Sequence, residues 1–193
     1  MTALIAGLFL FLGIHSLNML APGLRTRMVD RLGLIGWKGV FAVISLIGFV
    51  LLVWGYGQAR SEPVWLWQSP VWTRHLASLL MLPAMILLAA TYVPGTRIKA
   101  RIGHPMLLAT KIWALAHLAA NGTLADLALF GSFLIWAVAG FVILRRRDRA
   151  NGTQYPVAGI GRDIIAVVVG LVLWGLFAFH LHRLLMGVGP FGG

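Results

Sequence analysis

The chain has 193 residues, of which 60% are hydrophobic and only 11% charged. A soluble domain carries about 45–50% apolar and about 25% charged residues, so a water-coated globule is excluded. Its 16 Lys and Arg against 5 Asp and Glu give a formal net charge of +11. In so apolar a chain that excess reads as a membrane topology signal, and no nucleic-acid partner is expected.

In chain order, six apolar runs come near the roughly 20 residues that cross a hydrocarbon core. They cover residues 3–20, 39–56, 71–92, 105–120, 124–144 and 164–185. Backbone groups in lipid must be satisfied internally, so helix is the expected state, and the alternation of a membrane β-barrel does not appear. Pro22, Pro70, Pro94, Pro105 and Pro156 fall at or outside boundaries, whereas Pro83 lies inside the third run and predicts a kink. The expected fold is all-α: a polytopic integral membrane protein, a six-transmembrane-helix bundle forming one domain over residues 1–193.

The basic residues sort by loop. Arg25, Arg27, Arg31 and Lys38 fall in the first loop, Arg97, Lys99 and Arg101 in the third, and Arg145, Arg146, Arg147, Arg149 and Arg162 in the fifth. The second holds Arg60, with Arg74 just inside the next helix, and the fourth holds none. The positive-inside rule then places loops one, three and five in the cytoplasm and both termini outside. In a bacterium the outside is the periplasm, so a multi-pass protein of the inner membrane is expected. No charged n-region precedes the first run, which is therefore expected to be retained. Trp54, Tyr56, Trp65, Trp67 and Trp72 read as an interfacial aromatic belt that lays residues 58–70 on the outer surface, with a binding lid as the alternative.

Cysteine is absent, which excludes disulfides, iron–sulfur clusters and thiolate nucleophiles. Asp30, Asp148 and Asp163 fall in cytoplasmic loops, Glu62 in an outer loop and Asp126 near the outer end of the fifth helix, which disfavours a carboxylate relay in the membrane. Histidine remains. His15, His75, His104, His117, His180 and His182 all lie within or at the ends of apolar runs, and neutral imidazole is a good ligand for haem iron and other transition metals. Asn121 follows His117 at i+4, in reach of an imidazole or a bound ligand. For His117, a bond to a neighbouring helix stays the alternative. His75 and His182 read as interfacial, and His104, before Pro105, as a helix-start residue. Lys111 is the one lysine inside an apolar run: it either pairs with an anionic group such as a haem propionate or snorkels to the interface. Met81 and Met85 read as packing.

Gly13-Ile14-His15-Ser16, Gly36-Trp37-Lys38-Gly39 followed by Ser45-Leu46-Ile47-Gly48, Trp54-Gly55-Tyr56-Gly57, Gly103-His104-Pro105, and Trp113-Ala114-Leu115-Ala116-His117 with Asn121-Gly122 together resemble the NnrU family. The resemblance runs from about Gly7 to Arg147. The family is associated with nitrite and nitric oxide reduction and is related to 15-cis-zeta-carotene isomerase, a membrane enzyme that holds haem b between axial ligands. The resemblance thus implies haem b as cofactor, with His15 and His117 as metal ligands. Lys111, or Arg74 on the opposite side, would meet the propionates, and Asn121 would join the cofactor-binding residues. One departure stands out: the isomerase's cysteine three residues before the second histidine is Ala114 here, so ligand exchange to a thiolate is removed. By the expected topology His15 and His117 differ in depth by about two turns, about 11 Å. A haem lying parallel to the membrane would bridge that gap, whereas an upright one would make His75 or His180 the better partner of His117.

Three functions remain open at this level. The first is a bis-histidine haem protein with a redox or nitrite- and nitric-oxide-linked role, including gas-ligand binding. The second is a haem-dependent cis–trans isomerase of a carotenoid or other lipid polyene. The third is a cofactor-free membrane assembly or transport partner.

Overall fold

The computed structural model describes residues 1–191, so the last two positions of the expected 1–193 domain lie outside the described residues. Helix α1 spans Thr2–Leu20 and stops at Ala21, whose N–H still bonds to Leu17 O. Pro22, lacking an N–H, begins α2 (Pro22–Ser61) at a position where no helical donor is needed. This helix is 40 residues long and breaks at Gly33, where φ is 71°. The residues expected as a first loop are therefore helical. Their charges made them look like a connection, but charge limits only burial in lipid, not helix formation.

Helices α3 (Trp72–Tyr92), α4 (Arg97–Ile102), α5 (Pro105–Ala120), α6 (Leu124–Ala150) and α7 (Ile160–Leu176) follow, then a π-helical turn, Phe177–Leu181, and α8 (His182–Met186). Pro83 sits inside α3. The short α4 occupies what was expected as a plain third loop. The described residues contain no strand, only an isolated antiparallel bridge between Trp65 and Thr123.

Five helical stretches are long and apolar enough to cross a membrane: α1, α2, α3, α6 and the continuous Ile160–Met186 run. They mark a multi-pass membrane protein. The remaining apolar run is α5, which has 16 residues and a length of about 24 Å against a core of about 30 Å.

The packing divides into two compact units. One comprises Met1–Leu66 and Thr123–Trp136; the other comprises Trp67–Gly122 and the residues from Ala137 on. In the first unit α1 packs along α2 through a seam of glycines. A Cβ on Gly7 would fall 2.5 Å from Leu52 N, one on Gly48 2.7 Å from Phe11 N, and one on Gly55 would collide with Leu4 N. Close backbone approach of this kind is how helices gain contact in lipid, where hydrophobicity supplies no net attraction. Leu4, Leu8, Leu52 and Ala125 form the core of this unit. In the second unit α3 packs against α5 and α7, and Ala89, Ala90 and Ala166 form a core of small side chains with Val93 and Ile98 around it.

Candidate functional site

His15 lies in the second half of α1, half-buried. Its Nδ1 is 2.6 Å from the carbonyl oxygen of Phe11, one turn earlier. A carbonyl only accepts, so Nδ1 carries the proton, and in the neutral ring the lone pair lies on Nε2. The Phe11 ring lies 4.3 Å from the imidazole centroid, and Phe41 meets it edge-on at 5.0 Å. Beside it, Ser16 Oγ donates to Leu12 O and accepts from Trp136 Nε1 at 3.1 Å.

His117, in the other unit, repeats that arrangement. Its Nδ1 is 2.8 Å from Trp113 O, again one turn earlier, and the Trp113 ring lies 5.3 Å away. The same reasoning places its lone pair on Nε2. Asn121 Nδ2 donates to the backbone oxygen of His117 at 2.9 Å, so the amide closes the end of α5. Lys111 Nζ sits 3.7 Å over the Phe141 ring, a cation–π contact that holds the ammonium beside α6.

The other predicted residues fall elsewhere. Arg74 and His75 are exposed at the start of α3, and the His75 ring stacks on Phe191. His180 is exposed on the π-helical turn, and His182 Nδ1 donates to Val188 O at 2.7 Å. Among the described residues no three His, Asp or Glu side chains gather as a metal cluster. A cleft in the first unit, lined by Met1, Gln58, Glu62 and Val64 among others, includes none of the histidines. What His15 and His117 have in common is a half-buried imidazole with Nδ1–H anchored to an i−4 carbonyl, which makes Nε2 the nitrogen that could coordinate. Anchoring of that kind orients metal-binding histidines. It suits haem iron without any thiolate.

Two polar clusters escaped the sequence reading. Asp126 is 4% exposed; its Oδ1 accepts the Tyr56 hydroxyl at 2.5 Å, and its Oδ2 accepts Thr123 N–H and Oγ1–H at 2.9 and 2.6 Å. Thr123 Oγ1 accepts the Asp126 N–H in return, a reciprocal cap that Thr123-x-x-Asp126 announces in the sequence. The Arg60 guanidinium lies 5.8 Å over the Tyr56 ring. At the other end of α6, Asp148 Oδ2 accepts the Tyr155 hydroxyl at 3.0 Å and stands 2.9 Å from His104 Nε2. The His104 contact is close but poorly aligned for a hydrogen bond. His104 occupies the start of α5 as expected, yet its side chain makes no cap bond there. Burial first, and then the bond to Asp148, raise the Tyr155 phenol above its ordinary pKa.

No curated protein and no solved structure matches the chain. The family model described as "NnrU protein" matches residues 3–190. That match covers nearly the whole chain, including every histidine and both anchored imidazoles, and this protein belongs to the NnrU family.

Proposed function

We propose that this NnrU-family protein binds haem b, which His15 and His117 would hold, and serves a redox or nitrite- and nitric-oxide-linked role. The observation that carries the reading is the shared state of these two imidazoles, each with Nδ1–H committed to an i−4 carbonyl and its lone pair on Nε2. When bound, haem supplies a one-electron iron centre with affinity for small gases. The chain's own contribution is to fix ring orientation and tautomer before the cofactor arrives, and to surround His15 with Phe11 and Phe41. Lys111, or Arg74 on the opposite side, is the cation proposed to meet the propionates, and Asn121 steadies the backbone at His117. The same proposal takes the apolar runs as six spans of one domain in the bacterial inner membrane, with both termini periplasmic. The distribution of basic residues supports it.

Optical spectra of the purified protein, expressed with haem supplied, test this directly. A Soret band that shifts on reduction is expected in the wild type, and its loss in His15→Ala and His117→Ala. No band in the wild type overturns the proposal. A band that survives His15→Ala but not His75→Ala or His180→Ala transfers the ligand role.

A further inference from the structure

The second unit carries two side-chain carboxylates, Asp148 and Asp163, and both are withdrawn from its surface. Asp163 is 8% exposed, and its Oδ1 accepts the Ile98 N–H at 3.1 Å. Asp148 stands between His104 and Tyr155 with its side chain 14% exposed. These acids reach opposite ends of the same short helix. Ile98 lies in the first turn of α4; Gly103 and His104 directly follow its last residue, and a Cβ on Gly103 would lie 3.3 Å from Asp148 Oδ2.

Helix α4, Arg97–Ile102, is thus clamped at both ends by carboxylates that point inward, while two of its three cations point outward. Arg97 and Arg101, one turn apart, are exposed. Lys99, between them, turns back to donate to Thr91 O at 3.3 Å. Around the clamp, Arg162 beside Asp163 and Arg146 and Arg149 beside Asp148 are also exposed. These five guanidiniums make no ion pair among the described residues. A topology signal requires only a charge count, whereas here the acids that would have neutralised the face are spent inside.

The occupant follows from where the face lies. Helix α4 follows directly on α3, a helix long and apolar enough to cross a membrane, and precedes the apolar α5, so on a spanning α3 it would meet the headgroup layer. A phosphodiester is a dense anion whose oxygens match a guanidinium's paired donors. We infer that Arg97 and Arg101 on α4, backed by Arg146, Arg149 and Arg162, form a binding face for the headgroups of anionic phospholipids.

The test compares tritium-labelled phosphatidylglycerol and phosphatidylcholine retained by the immobilised, detergent-solubilised full chain. Preference for phosphatidylglycerol is expected, falling more than tenfold in R97Q/R101Q, since one cation near a headgroup contributes about fivefold. R97K/R101K, which keeps the charges but loses the paired donors, should fall between the wild type and R97Q/R101Q, and R27Q/R31Q, in the other unit, should keep all of the preference. Equal retention of the two lipids, or an equal fall in R27Q/R31Q, overturns the inference. So does full displacement of phosphatidylglycerol by inorganic phosphate, which would make this a site for a soluble anion. Should R97Q/R101Q fail to fold, salt decides on the wild type. Screening over about 3 Å at about 1 M salt should abolish the preference, and its persistence refutes an electrostatic face.

Discussion

At the start of α6, Asp126 is enclosed and accepts three aligned hydrogen bonds, from Tyr56 and from two atoms of Thr123. At the end of the same helix, Asp148 holds one aligned bond from Tyr155 and a misaligned contact with His104. The two carboxylates are chemically identical, yet they have different surroundings. The first is saturated by its own helix cap and by a partner 70 residues away, so it locks the beginning of α6 to α2. The second is shared between a ring nitrogen and a phenol, with its side chain 14% exposed. Enclosure and saturation tie a carboxylate to its neighbours; partial satisfaction leaves it with less to lose when it is replaced.

That contrast is broken most severely by Asp126→Ala. It strands the Tyr56 hydroxyl and the Thr123 N–H together, and a loss of about 3 kcal/mol in unfolding free energy is expected, because buried bonds to a charged acceptor are costly to leave unmade. Denaturant unfolding of the purified protein in detergent measures it; a loss no larger than that of Asp148→Asn would erase the distinction. Gly103→Ala comes next. At φ 81° an L side chain is strained, and the new Cβ would sit 2.9 Å from Arg145 Nη1. A cost of about 1–2 kcal/mol is expected in the same assay. Asp148→Asn keeps the shape but weakens both contacts and should cost about 1 kcal/mol.

The smallest effect is a pH dependence. Burial and the Asp148 bond make the Tyr155 phenol harder to ionise in the folded chain than in the unfolded one. Its contribution to stability is therefore fully present below the unfolded value, about 10, and is lost as pH climbs through the raised folded value. Tyr155→Phe should flatten this alkaline decline in a stability–pH profile, and an unchanged profile would show that the phenol does not report on the cluster.

The apolar runs at residues 3–20, 71–92 and 105–120 are helices almost to the residue, because lipid-compatible stretches of that length have no other satisfied backbone state. Residues 22–38 were harder to read: their arginines exclude burial but say nothing against a helix. His15 and His117 were identifiable by residue type, and their anchoring to the i−4 carbonyl follows from helical spacing once a helix is assumed. Tyr56 with Asp126, and His104 with Asp148, join residues far apart in the chain. No local pattern announces such pairs, although Thr123-x-x-Asp126 is a local cap pattern that went unread. The inward turn of Asp163 was equally invisible, since a charge in a basic loop looks the same whether it faces water or a helix end.

The glycine seam between α1 and α2 has a consequence for the imidazole it lies behind. Gly48 backs onto the amide of Phe11, and the carbonyl of that same Phe11 holds His15 Nδ1. The azimuth of α1, and with it the direction in which Nε2 points, is therefore set by an absent side chain on the neighbouring helix. Adding one methyl at Gly48 would rotate or displace α1 and re-aim a nitrogen more than one turn away, without altering any atom of the histidine.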